Sequence, residues 1–94
     1  MINTKASVIL VSGRSELHRP QTERWLMKNA INYSHLFMRA EGDFRNDAIV
    51  KREIYERHIA GQYNVKFTID DRRSVVAVWR SLGLTCLQVA EGDY

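Results

Sequence analysis

Val8-Ile9-Leu10-Val11 is apolar at every position. A run with no polar face suits a strand buried on both sides of a parallel sheet. It gives way to the polar turn Ser12-Gly13-Arg14, and Pro20 then stands where a helix can begin. That helix is expected to run to about Asn29, with Trp25, Leu26 and Ala30 inward. Leu36-Phe37-Met38 is a second short apolar run, followed by the polar stretch Glu41 to Asn46. The spacing of Val50, Ile54 and Ile59 predicts a helix from about Asp47 to Ala60, with Gly61 at its C-terminal cap. Val65, Phe67 and Ile69 alternate with Lys66 and Thr68, as in a strand with one wetter face. The strand is expected to end at Asp70-Asp71. Ser74 then offers an N-cap to a third helix carrying Val75, Val78, Trp79 and Leu82, which Gly83 stops. Leu84 to Val89 reads as the last strand.

Strand and helix thus alternate three times before a closing strand. This order predicts an α/β fold with a mainly parallel sheet of about four strands and about three helices. Crossovers in such sheets are right-handed. Ligands bind outside the carboxyl ends of the strands. Two of those ends carry conspicuous polar groups, Ser12-Gly13-Arg14 and Asp70-Asp71-Arg72.

Composition narrows the setting. The 94 residues suit one small domain over residues 1–94, with 45% hydrophobic and 27% charged positions. A domain of this size has a thin stability margin. The net charge of +3 favours anionic partners only weakly. A single cysteine, Cys86, excludes an intrachain disulfide and reads as a small buried hydrophobe. Met1 to Ser7 lacks the basic region and apolar run of a signal peptide, and no apolar run is long enough to span a membrane. The expected location is cytoplasmic.

Asp70-Asp71 is the sharpest chemical feature. Two adjacent carboxylates at a strand end repel one another, and magnesium, which takes one or two carboxylates beside several waters, would relieve them. A helix-entry turn explains the pair equally well, because Asp favours a helix N-terminus. In Ser12-Gly13-Arg14, a hydroxyl and an open backbone amide can hold a phosphate oxygen, and the arginine fork matches phosphate geometry. A plain strand-exit turn accounts for the tripeptide by itself. Lys51 lies four residues after Asp47 on one helix face, where an exposed ion pair is worth only about 0.3–0.5 kcal/mol. His18, His35 and His58 lack metal-site spacing. Trp25 and Trp79 lie on apolar helix faces and suit the core. Glu41, Asp43 and Asp47 read as a solvated acidic loop.

The order of these pieces adds what none carries alone. A strand ending in Ser-Gly-Arg, a helical lysine and a strand ending in Asp-Asp resemble motifs two to four of the haloacid dehalogenase-like (HAD) superfamily. The segments Val8–Arg14, Glu41–Asp47, Val50-Lys51, Ile69–Arg72 and Leu87–Tyr94 look like the 3′-phosphatase domain of bacteriophage-type polynucleotide kinase/phosphatase. The resemblance implies that Ser12, Gly13 and Arg14 contact the substrate phosphate. It implies that Lys51, oriented by Asp47, neutralises the transferring group, and that Asp70 and Asp71 help to hold Mg2+. It also implies removal of a 3′-phosphate from a nucleic acid end through an aspartyl-phosphate.

One departure stands out. The family's first strand carries Asp-x-Asp-Gly-Thr, whose two aspartates are nucleophile and general acid, whereas Met1 to Ser7 contains no aspartate. No Gly-rich loop ending in Lys-Ser or Lys-Thr occurs, so a kinase site is not expected either. In the family that first strand lies between the motif-two and motif-four strands. The chain therefore reads as a truncated HAD-like domain without its central nucleophile strand, with unpaired strand edges that invite a partner. Three functions fit: a phosphatase completed by a partner chain, a non-catalytic binder of phosphate or 3′-phosphorylated nucleic acid ends, or a homo-oligomeric assembly protein such as a homodimer.

Overall fold

A computed structural model of the chain describes residues 7–92. The amino-terminal stretch read for a targeting signal lies largely outside the described residues, as do Asp93 and Tyr94 of the tail. The chain divides into two compact units, Met1–Phe44 and Arg45–Tyr94.

In the first unit, β1 (Ile9–Ser15) pairs in parallel with β2 (His35–Arg39), and α1 (Arg19–Lys28) connects them. A 3-10 turn at Glu16–His18 precedes α1, and the Ser15 hydroxyl caps it by accepting the Leu17 amide. Pro20 falls in the first helical turn, where its missing N–H costs nothing. Arg19 forks onto Glu16 and donates to the Leu36 carbonyl at 2.7 Å, which ties the helix start to β2. The core is Leu26, Leu36 and Met38, with Leu10 and Tyr33 packed on it.

Two expectations fail in this unit. Trp25 is 58% exposed; α1 buries Leu26, as expected, and Thr22 in place of the tryptophan. A polar residue serves in that core because the Thr22 hydroxyl donates to the His18 carbonyl one turn back. Ala30 is exposed at the helix exit with a left-handed φ of 54°, past the end of the buried face.

In the second unit, α2 (Asp47–Ile54) continues into a π turn at Tyr55–Ile59, then come β3 (Thr68–Arg72), α3 (Arg73–Ser81) and β4 (Cys86–Gly92). Strands β3 and β4 are parallel, and α3 packs against both. Val75, Val76, Trp79 and Cys86 form the core, with Ala48, Tyr55, Val78, Leu82 and Leu84 around it. The π turn has a cause in the sequence. Val50 and Ile54 are four residues apart, as an α-helix requires, but Ile59 comes five after Ile54. Widening the last turn by one residue keeps all three buried.

The sequence reading of β3 is displaced. Val65 to Phe67 lie before the strand, and Phe67 and Ile69 are more than half exposed. The more buried positions are Thr68, Asp70 and Arg72, and Asp70 meets Trp79 of α3, while Ile69 is exposed. Ser74 does not cap α3: the helix starts two residues earlier, at Arg73, with Arg72 at the N-cap and no side-chain cap. Gly83 follows α3 with φ +82°, the left-handed conformation that ends a helix most readily at glycine.

The α/β reading holds, with four strands in two parallel pairs. Each unit carries one two-stranded parallel sheet, β1–β2 in the first and β3–β4 in the second, and this content matches a partial HAD-like fold.

Candidate functional site

Asn46 starts the site in the second unit. Its side chain accepts the Ala48 amide at 2.9 Å and fixes the first turn of α2. Asp47 is thereby set at the first helical position and Lys51 one turn later, on the same face. Lys51 Nζ lies 3.3 Å from Asp47 Oδ2 and 3.5 Å from Asp70 Oδ2. The three side chains are only 13%, 9% and 12% exposed, so this is a nearly buried cluster and not the solvated helix pair that spacing alone suggested. Arg72 Nη1 joins it, 3.6 Å from Asp47 Oδ2.

Asp70 is held from every side. Its Oδ1 accepts the backbone amides of Asp71 at 2.9 Å and Arg72 at 3.2 Å. Its Oδ2 faces Lys51 and the indole N–H of Trp79, the latter at 3.5 Å. The β3–β4 register shifts between Asp70 and Arg72, which takes Asp71 out of the regular ladder. The Asp71 side chain is exposed, and its carbonyl accepts Gln88 Nε2 at 3.3 Å.

Electrostatically, two carboxylates (Asp47, Asp70) balance two cations (Lys51, Arg72), and Asp71 adds one negative charge at the strand end. A lysine has three donors. Two are directed at carboxylates, and the third can meet an anionic oxygen such as that of a phosphoryl group.

Ser12, Gly13 and Arg14 belong to the first unit, at the carboxyl end of β1. The ladder with β2 breaks between Ser12 and Ser15, so Gly13 and Arg14 stand out of register. Ser12 Oγ accepts the Arg14 amide at 3.1 Å, which leaves its hydroxyl hydrogen to donate. Arg39 braces this loop by donating to the Gly13 carbonyl at 2.7 Å and to the Asp43 carbonyl at 3.1 Å.

Arg39, Asn46, Arg72 and Trp79 were not picked out as site residues from the sequence. Asn46 carried a usable signal, an N-cap residue directly before a helical pattern. Arg72 stood out only as part of the polar strand end Asp70-Asp71-Arg72, and Arg39 and Trp79 carried no signal, because their partners lie in other elements.

The donor set suits magnesium only in part. Asp70 and Asp71 offer hard oxygen at a strand end, but Asp70 is engaged by Lys51, Trp79 and two amides. Among the described residues no group of three or more His, Cys, Asp or Glu side chains could hold a metal ion.

Comparison with known proteins places the chain in a family. A family model described as the polynucleotide kinase PNKP phosphatase domain matches residues 1–94. A protein of Autographa californica nuclear polyhedrosis virus, assigned as a bifunctional polynucleotide kinase/RNA ligase, is 36% identical over 90 residues, covering 95% of this chain and 13% of that protein. In a solved structure of the Pnkp1/Rnl/Hen1 RNA repair complex, one chain is 47% identical with a TM-score of 0.91, over 94% of this chain and 29% of that one. A second structure of the Pnkp1/Rnl/Hen1 complex gives the same identity and TM-score over 31% of its chain. The chain thus spans less than a third of the length of these relatives. With the family model matching throughout, it belongs to the PNKP phosphatase-domain family of HAD-like proteins.

Proposed function

We propose that this chain supplies the phosphate-facing and metal-facing part of a HAD-type polynucleotide 3′-phosphatase site. The nucleophilic aspartate would come from a strand outside residues 7–92. The observation that carries this reading is the nearly buried Asp47–Lys51–Asp70 cluster. Ion pairs with such low exposure exact a desolvation cost that a purely structural helix has no need to bear. Family membership supports it.

In the proposed reaction the aspartate oxygen forms a bond to phosphorus and the P–O3′ bond breaks. The leaving 3′ oxygen takes a proton from the general acid on the same strand, and water then hydrolyses the aspartyl-phosphate. This chain's residues act around that centre. Ser12 donates to a phosphoryl oxygen, Arg14 forks onto the phosphate, and Lys51 sets its third N–H against the charge on the transferring group. Magnesium, when bound with Asp71 and outside donors, would neutralise phosphoryl oxygens.

The test is complementation with an oligonucleotide bearing a 3′-phosphate. The chain alone should release no phosphate. Adding a polypeptide that carries the Asp-x-Asp strand of a relative should restore release. In the restored complex Lys51→Ala should lower kcat by about 10²-fold or more. A stable, folded complex with no turnover would refute catalysis. Salt-sensitive binding of the 3′-phosphorylated end by that inactive complex would instead identify a non-catalytic binder.

A further inference from the structure

Trp79 looks at first like an ordinary core residue. It is 5% exposed and packs with Val75, Val76 and Cys86. Its ring also meets Tyr55 edge-on, with centroids 6.0 Å apart, and Tyr55 is the residue that opens the π turn after α2. An indole nevertheless carries one obligatory donor, and burying it without a partner is costly. Here the donor is aimed at Asp70 Oδ2 at 3.5 Å, long for a hydrogen bond. That same oxygen faces Lys51. The other oxygen of Asp70 is held by two backbone amides of its own turn.

We propose that Trp79 is a positioning residue: its indole N–H fixes the rotation of the Asp70 carboxylate and, through it, the place of the Lys51 ammonium. The backbone amides alone hold Oδ1 and leave the carboxylate free to pivot about that end. A rigid donor, wedged in the core and braced by Tyr55, fixes the second oxygen. Lys51 has four side-chain carbons of freedom, and its head stays where Asp47 and Asp70 together put it. Trp79 touches no substrate in this scheme. The functional meaning of the device rests on the phosphatase reading above, but the device itself does not.

The tests use the full chain. Its two tryptophans give two indole N–H resonances in a ¹⁵N spectrum. Asp70→Asn should move the Trp79 resonance and leave that of Trp25, exposed on α1, in place. A Trp79 resonance blind to Asp70→Asn would overturn the proposal. From the other end, Trp79→Phe keeps the ring packing and removes the donor. It should raise acylation of Lys51 by acetic anhydride several-fold relative to Lys66, as read by mass spectrometry. Val76→Ala, a packing control in the same core, should leave that ratio unchanged. An unchanged ratio in folded Trp79→Phe, or an equal rise in Val76→Ala, would also overturn it. Should Trp79→Phe fail to fold, the Asp70→Asn spectrum decides alone. In the complemented phosphatase, Trp79→Phe should lower kcat by about 10-fold with little change in KM, as loss of an orienting partner does. Complementation without turnover, beside positive spectral and labelling results, would sink the phosphatase reading and leave the positioning role standing.

Discussion

Lys51→Met isolates the central electrostatic claim. Methionine keeps the apolar stem of lysine and removes the ammonium. In the native chain that ammonium stands 3.3 Å from one carboxylate and 3.5 Å from another. At an effective dielectric of about 20 each contact is worth roughly 5 kcal/mol of gross attraction. Desolvation of three charges removes most of this. What remains on deleting one partner is the cost of leaving buried carboxylates unpaired, about 3–5 kcal/mol. Arg72 still faces Asp47, so the low end, about 3 kcal/mol, is expected. In a domain this small each kcal/mol shifts Tm by about 4–8 °C, which gives a fall of about 12–24 °C. Urea unfolding followed by tryptophan fluorescence measures the loss directly. A double-mutant cycle with Asp70→Asn should then return a coupling of about 1–3 kcal/mol. A loss below about 1 kcal/mol, or no coupling, would mean that the cluster behaves like a solvated surface pair and that its burial carries no energetic weight.

Three other expectations are simpler. Asn46→Ala removes the cap of α2 and should cost about 1 kcal/mol in urea unfolding, because the Ala48 amide loses its acceptor. Arg39→Met removes the donors to Gly13 and Asp43 and should cost about 1.5–3 kcal/mol, with faster amide exchange concentrated at Gly13 and Arg14. Hydrogen bonds from Arg19 hold the Glu16 carboxyl below its usual range, against a smaller opposing effect of burial. A depressed pKa contributes stability that is present above the ordinary carboxylate range and lost as pH falls through the folded value. A ¹³C carboxyl titration should show the low value in the native chain and a return to the ordinary range in Arg19→Met. The accompanying stability change should be small, since both side chains are about a third or more exposed.

Most of the element order was legible because it rests on local pattern. The four-residue spacing of Val50 and Ile54 and the stop at Gly83 are signals a chain cannot easily misplace; the apolar run Val8–Val11 located β1, but it is not buried on both sides, since Val8 lies exposed before the strand and Ile9–Val11 are only half-buried. The errors arise where tertiary packing overrides that pattern. In β3 the alternation of Val65, Phe67 and Ile69 pointed the apolar face inward. The structure turns Asp70 inward instead, because the indole of Trp79 and the ammonium of Lys51 wait on that side. Trp25 was misread for a related reason. At helical spacing it competes with Leu26 for one buried face, and Thr22 can share that face once its hydroxyl is satisfied within the helix. For the site, the residues that form a sequence motif were visible, whereas their supports were not. Arg39, Arg72 and Trp79 act across elements, and no spacing rule connects Asp70 to an indole nine residues later.

The two sheets share a further regularity. In each, the parallel ladder runs in register along the strand and then slips at its carboxyl end, between Ser12 and Ser15 in one and between Asp70 and Arg72 in the other. The residues set out of register are Gly13 and Arg14 in the first and Asp71 in the second. A regular ladder would commit those backbone groups to a neighbouring strand and alternate the side chains strictly between the two faces. A slip lets the chain present consecutive residues to the space beyond the strand end, where parallel sheets receive ligands. The cost is a lost ladder bond at each place. It is offset locally: Ser12 Oγ takes the Arg14 amide, and Asp70 Oδ1 takes the amides of Asp71 and Arg72. Each motif thus opens with a side chain that accepts backbone amides of its own bulge. That is a physical reason for Ser to precede Gly-Arg and for Asp to precede Asp-Arg, independent of what either motif binds. It divides the acidic pair by role, with Asp70 turned inward to hold the turn and Lys51, and Asp71 carried to the exposed end where a cation could reach it.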